Sequence, residues 1–367
     1  MKILPTRTRV ARASAFAAAA IGSVVLCAGS AQATWTVTNL HPAGATQSGA
    51  YGTTGTQQVG DAWVGGANRA SLWSGSAASW VNLNPAGATE SRAFGTSGTQ
   101  QVGLANVGGT TSASLWSGTA ASWVNLSPAG ATQSWAYATS GTQQVGLANV
   151  GGFQRASLWS GTAASWVDLS PAGATMSSAY FISGTQQVGF ARVGSFLQQR
   201  ASLWSGTAAS WVDLSPAGAT GSQAYGTSGT RQVGYVGLGS VSNRASLWSG
   251  TAASRVDLHP AGATDSLALG ISGTQQVGMA IVGGFQRASL WSDTAASWVD
   301  LHAYLPVGFS DSFAWSIWSG GGFTYVAGSG YNTNTSRNEA LLWVIPTPGT
   351  AAVLGLAGLM GAGRRRR

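Results

Sequence analysis

Few residues of this chain are equipped for chemistry. Of its seventeen tryptophans, Trp63, Trp135, Trp315 and Trp318 stand outside the positions at which the other thirteen recur. A flat indole face stacks on a sugar ring, so an indole that packing does not demand is free to serve a ligand. Asp61, Glu90, Asp265, Asp293, Asp311 and Glu339 are acids with no regularly spaced basic partner. Glycosidic hydrolysis needs two carboxyls converging on one bond, and no two of these are placed by sequence to act together. His41, His259 and His302 share one recurring position. Imidazole is a common metal ligand, yet ligands must come within about 2 Å of one ion, and successive units carry these rings apart. They are expected to be turn residues. No calcium-loop pattern, nucleophile elbow or helix-opening glycine motif occurs. We therefore expect no catalytic residue, no metal site and no cofactor.

The frame that positions these residues is a repeat. Ala-Ser-Leu-Trp begins at Ala70, Ala113, Ala156, Ala201, Ala245 and Ala288, with starts 43, 43, 45, 44 and 43 residues apart, and Ala340 opens a weaker copy. Such a period marks a repeat architecture. Each unit carries four short runs of strand-forming residues: Ser-x-Ala-aromatic (a), Gln-Gln-Val-Gly (b), Ala-Ser-Leu-Trp (c) and Trp-Val-Asp-Leu (d). Glycine, proline, serine and asparagine turns separate them, and no apolar period of 3.6 residues is long enough for a helix. Four strands per unit, seven times, predict an all-β fold: a seven-bladed β-propeller of four-stranded antiparallel blades. The array begins on a d run, Trp35–Leu40, and ends on a c run, Ala340–Val344. The two should pair, closing the ring and removing its open edges.

The periodic charges fit this frame. Asp168, Asp213, Asp257 and Asp300 each have an arginine 13 positions earlier, at Arg155, Arg200, Arg244 and Arg287. A c–d hairpin sets these residues opposite each other, and cross-strand ion pairs worth about 0.2–1 kcal/mol each are the expected result. Length changes collect between strands b and c, at 194–199 and 237–243. In up-and-down blades that face also carries the d–a connections and the variable residue before each strand-a alanine. Variable loops on a rigid scaffold are where binding usually resides. A ligand is therefore expected on Trp135, Phe153, Phe196, Phe285 or Phe313, with Arg92 beside them.

Composition agrees with a folded, extracellular chain. Only 8% of residues are charged, but seventeen tryptophans and 44% apolar residues supply enough surface to offset ordering entropy. The net charge of +8 comes from the ends: ten arginines in the body face its ten acids. A nucleic-acid partner, which demands a basic surplus on the folded domain, is not expected. Residues 1–33 read as a signal peptide, with a basic start, an apolar run Ala13–Ala28 and an Ala31-Gln32-Ala33 cleavage pattern. The single cysteine, Cys27, lies inside it, so the mature chain is expected to lack a thiol. Residues 34–345 form the propeller, and 346–367 a tail with an apolar run from Ala351 to Ala362 ahead of four arginines.

Two resemblances follow. Ser134-Trp-Ala, Gly141-Thr-Gln-Gln-Val-Gly and Ala156-Ser-Leu-Trp159 resemble the HAF repeat of secreted bacterial proteins, with Ser157 where that pattern has an aromatic. Ile345-Pro-Thr-Pro348, the apolar run and Arg364–Arg367 resemble the PEP-CTERM sorting signal, with Thr347 where the family has glutamate. The second resemblance implies processing by an exosortase-like membrane protease, membrane contact only through the tail, and a link to exopolysaccharide. The expected function is binding or scaffolding at the cell surface or in the matrix, with an extracellular polysaccharide or a surface protein as partner. A glycosidase- or lyase-type enzyme and a purely structural surface repeat are the alternatives.

Overall fold

The structure, a computed structural model, describes residues 34–194, 198–239 and 242–347. The signal segment, the tail from residue 348 and Phe196 lie outside the described residues. Seven four-stranded antiparallel sheets form the ring. The strands of blade 1 lie between Ser48 and Asn82, of blade 2 between Ala88 and Asn125, and of blade 3 between Ala131 and Asp168. Those of blade 4 lie between Ala174 and Asp213, of blade 5 between Ala219 and Asp257, and of blade 6 between Ala263 and Asp300, while blade 7 joins the strands between Phe309 and Pro346 to Thr36–Asn39. In blade 3 the strands are Ala131–Thr139 (a), Gln144–Val150 (b), Phe153–Trp159 (c) and Val167–Asp168 (d). Strands a of successive blades touch one another all the way round, so they line the axis. The ring closes through Thr36–Asn39, which pairs with Arg337–Pro346 as Thr36 to Val344 through Asn39 to Leu341. The chain's first strand thus completes its last blade.

Packing between blades explains the recurring tryptophan of strand c. Trp159 is fully buried with Leu115 and Leu126 of blade 2 beneath Ala136 and Ala148 of its own blade. Trp73 does the same against Leu40 and Leu342 across the closure. Burying an aromatic side chain of this size is among the largest contributions one residue makes. The serine of Ser-x-Ala adds a polar link that recurs between blades. Ser177 Oγ accepts from the Ala156 N–H at 2.8 Å, and Ser48 Oγ from the Ala340 N–H at 2.9 Å, so the closing junction repeats the internal ones. The three histidines hold this serine in place. His41 Nδ1 lies 2.7 Å from Ser48 Oγ, His259 Nδ1 2.7 Å from Ser266 Oγ, and His302 Nδ1 2.9 Å from Ser312 Oγ. Asn84 and Ser170 occupy the same place in other blades and make the same bond.

Strand d is shorter than Trp-Val-Asp-Leu. Only Val167 and Asp168 pair, with Leu158 and Ser157. The preceding Ala163–Ser165 winds into a 3₁₀ turn, and Ser165 Oγ accepts from the Ser160 N–H and donates to the Thr162 carbonyl. Trp166 leaves that turn, and its indole N–H donates to Ser157 Oγ at 2.9 Å. That bond accounts for the serine that recurs in Ala-Ser-Leu-Trp. Arg255, standing in the tryptophan's place, makes the same bond through Nε.

The Arg–Asp pairs need correction on two points. The partners are offset rather than opposite, since Asp168 faces Ser157. Arg155 reaches Asp168 at 3.3 Å, Arg200 reaches Asp213 at 2.6 Å and Arg244 reaches Asp257 at 2.7 Å. Arg287 and Asp300 form no ion pair. Asp300 caps the 3₁₀ turn Leu301–Tyr304 by accepting from the His302 N–H at 2.9 Å, and Arg287 lies over the Phe285 ring. Every acid at this position serves a turn first: Asp168 accepts from the Ser170 N–H, as Asn125 does from Ser127. Asparagine can do that work, which is why the two interchange.

One unexpected ion pair joins two departures from the repeat. Arg231 replaces a glutamine in blade 5, Asp293 replaces a glycine in blade 6, and they meet at 2.7 Å. Asp293 sits at φ 67°, in a left-handed region costly for a side chain. In an Arg231→Gln background, Asp293→Gly should raise the unfolding free energy by up to about 1 kcal/mol, the relieved strain being offset in part by loss of the 2.7 Å bond that Gln276 Nε2 donates to the Asp293 carboxylate. With Arg231 present the gain should shrink, because the ion pair is lost as the strain is relieved. Denaturant unfolding of the four proteins checks this, and equal gains in both backgrounds would show that the pair contributes nothing.

Candidate functional site

Strand a carries a bulge in every blade, where the residue after Ser-x-Ala, an aromatic in six blades and Leu269 in blade 6, is extra and unpaired. A bulge re-aims its side chain. Here the rings meet each other: Tyr51–Phe94 at 6.0 Å, Phe94–Tyr137 at 5.6 Å, Tyr137–Tyr180 at 5.4 Å and Tyr180–Tyr225 at 5.2 Å between centroids. Trp315 continues the collar on the other side of Tyr51 at 5.9 Å. Burial raises the acid dissociation constants (pKa) of the Tyr51, Tyr137, Tyr180 and Tyr225 phenols above the ordinary tyrosine range. They are kept neutral, and Tyr51 donates its hydroxyl proton to Asp61.

The residue two places before the aromatic forms a second layer: Gly49, Arg92, Trp135, Ser178, Gln223, Leu267 and Phe313. Glycine at position 49 leaves a gap in that layer, and a cavity of about 370 Å³ opens there between blades 7, 1 and 2. A Cβ on Gly49 would come within 2.9 Å of Tyr51 Oη, so any larger residue would disturb the cavity floor. Trp63, 40% exposed, contributes to one wall. Phe313 and Trp315 form another, stacked 5.0 Å apart and only 6° from parallel.

Asp61 is buried at the floor. Strand b of blade 1 places it opposite Gly49, where blades 2 and 3 have Leu104 and Leu147. Its Oδ1 accepts from Tyr51 Oη at 3.0 Å, and Arg92 Nε lies 3.5 Å from Oδ2. With its amide nitrogen turned toward the carboxylate, Asn68 donates to Oδ2 at 3.2 Å while its oxygen accepts from Arg92 Nη2 at 2.6 Å. Burial pushes the Asp61 carboxyl above the usual range, against the Arg92 charge and the Tyr51 bond, which pull it down. The arrangement is a polar network under aromatic walls, with one arginine held at its edge.

Of the residues expected to contact a ligand, Arg92 and Phe313 share this cavity. Trp135 stands in blade 3, its ring 6.3 Å from Tyr137, and does not line it. Phe153 and Phe285 open strand c just after the b–c turns, 49% and 47% exposed, each under the arginine two residues on. Sequence reasoning singled out Asp61, Trp63 and Trp315 separately as departures from the repeat. It missed Tyr51, Gly49 and Asn68; the usable signal was that glycine replaces a side chain at one second-layer position only.

No protein family's sequence profile matches the chain, and no curated protein matches it. Among solved structures it is similar to a puromycin-hydrolysing peptidase of Mycobacterium tuberculosis, at TM-score 0.55 and 11% identity over 80% of this chain and 52% of that one. It is also similar to the acylaminoacyl peptidase of Pyrococcus horikoshii, at TM-score 0.53 and 10% identity, covering 81% of this chain and 51% of that one. The β-propeller domain of the Trilobed protease from Pyrococcus furiosus, described as having an open velcro topology, matches at TM-score 0.53 and 10% identity over 82% of this chain and 94% of the domain. The chain spans about half the length of the two peptidases. At such identities the likeness shows the propeller fold alone, and fold does not carry activity.

Proposed function

We propose that the protein is a secreted propeller that binds a polysaccharide at the cell surface or in the extracellular matrix, through the cavity between blades 7, 1 and 2. The observation carrying this reading is the cavity's make-up. Partly exposed indole and phenyl faces line a cleft whose floor is a fixed network of hydrogen-bonding groups, the combination that holds a sugar ring by stacking and orients it by hydroxyl contacts. Secretion rests on the Ala31-Gln32-Ala33 pattern and surface retention on the PEP-CTERM-like tail with an exosortase-like protease. The HAF-like repeats agree with a secreted module. A two-carboxyl hydrolase fits the cavity less well, because Asp61 is the one carboxylate among its described lining residues.

A glycan panel presented to the purified protein should yield binding without release of reducing ends. Trp63→Ala and Phe313→Ala should each weaken the bound glycan at least about fivefold, the loss that marks a meaningful contact, with the fold intact. Unchanged affinity in the double variant would move the site elsewhere, and steady product release would establish the enzyme instead.

A further inference from the structure

Resting on the reading of this cavity as a glycan site, we infer that its ligand is an acidic polysaccharide, and that Arg92 receives the carboxylate of a hexuronate residue. The cavity's polar groups are unequal in what they leave open. Asp61 is turned inward and has partners on both oxygens: one accepts from Tyr51, the other faces Arg92 Nε and the Asn68 amide. Its side chain is only 9% exposed. It therefore acts as an anchor for the guanidinium rather than as a ligand contact.

Arg92 is the opposite case. Its side chain is 41% exposed, and the anchoring contacts use Nε and one N–H of Nη2. The outer edge, with N–H groups on both terminal nitrogens, is left to the cavity. That fork matches a carboxylate in two parallel hydrogen bonds. The amides of Gln47 and Asn338 are exposed at the rim and offer further donors. Asp61 is the lining's only acid among the described residues, and it is covered. A ligand entering here meets an exposed cation, amide donors and aromatic faces, which suits a pyranose ring bearing a carboxylate. A neutral sugar could use the faces but would leave the guanidinium edge without a matching charge.

The test compares oligomers of galacturonate, glucuronate and mannuronate with their methyl esters, which keep the ring and remove the charge. Binding to the unaltered protein is measured by calorimetry at low and at physiological salt. At least one acid should bind ten times or more tighter than its ester, and the advantage should shrink as salt rises. In Arg92→Gln the acid should fall to the ester's affinity, while Arg92→Lys should fall between, keeping charge but losing the fork. Equal binding of acid and ester by the unaltered protein would overturn the acidic-ligand inference and leave the glycan site standing. No binding by any charged or neutral glycan would overturn both. Retention of the full acid preference in folded Arg92→Gln would remove Arg92 from the role assigned to it.

Discussion

Removing residues 34–40 is expected to unfold the ring or leave it aggregating, a far larger effect than seven residues at a chain end usually have. The segment supplies the outer strand of blade 7, and its loss bares the edge of Arg337–Pro346 to pairing with other chains. Leu40 is fully buried in the same cluster as Trp73, and its truncation to alanine alone should cost about 2–5 kcal/mol. Trp35 and Val37 pack on the neighbouring cluster around Trp343. With ordinary domains stable by about 5–15 kcal/mol, these losses together approach the whole. Val307→Ala, at a side chain 98% exposed, serves as the control and should change nothing. An unaltered melting temperature in the truncated protein would refute closure.

The same junction should be sensitive to acid. Glu339 is buried, which by itself raises its pKa, but bonds from Asn332, Arg337, Thr335 and Asn39 hold it down from 4.5 to about 2. The Asn39 bond, at 2.7 Å, joins the first strand to the last. A carboxyl depressed in the folded state stabilises fully above its unfolded value and loses that contribution as pH falls toward its folded value. Stability should therefore drop between about pH 4.5 and 2, and Glu339→Gln should flatten that part of the pH profile.

What sequence revealed and what it hid divide along physical lines. The four runs per unit and the seven units follow from periodicity, because each run is a strand whose neighbours are near in the chain. The closing pair, about 300 residues apart, follows from a d run without its c at one end and a c run without its d at the other. Strand d was overestimated because Trp166 looks like a strand residue but answers to Ser157. The Arg287–Asp300 pair failed because the d–a connection there winds into a turn that takes the aspartate as its cap. The cavity was hidden for a different reason. Closure sets Thr53 within hydrogen-bond reach of Ser316, 263 positions away, so Gly49 and Asp61 share walls with Phe313 and Trp315. Each departure is visible alone, but their meeting is a property of the ring.

The glycine that ends Gln-Gln-Val-Gly yields the second large expectation, one that runs against ordinary strand preferences. Gly146 has an extended backbone and is therefore open in principle to any residue; proximity forbids it. A Cβ there would lie 1.8 Å from the Trp135 carbonyl oxygen and 2.8 Å from its carbon, and at the other six equivalent positions the nearest carbonyl oxygen is 1.8–2.0 Å away. The strand-a bulge that turns Tyr137 toward the axis brings this backbone so close. Because the obstacle is backbone on both sides, no rotamer change relieves it, and strands a and b must separate. Gly146→Ala should thus cost at least about 2–3 kcal/mol, near the upper range for overpacking by a single methyl. Gly221 is the control: it lies in strand a of blade 5, and a Cβ there meets nothing within 4 Å. Gly221→Ala should be neutral or stabilise by about 0.4–1 kcal/mol through the unfolded chain. Denaturant unfolding of the two variants separates close approach from backbone freedom. The two landing within 0.5 kcal/mol of each other, the usual scatter for surface changes, would mean that the bulge does not hold the strands as close as described.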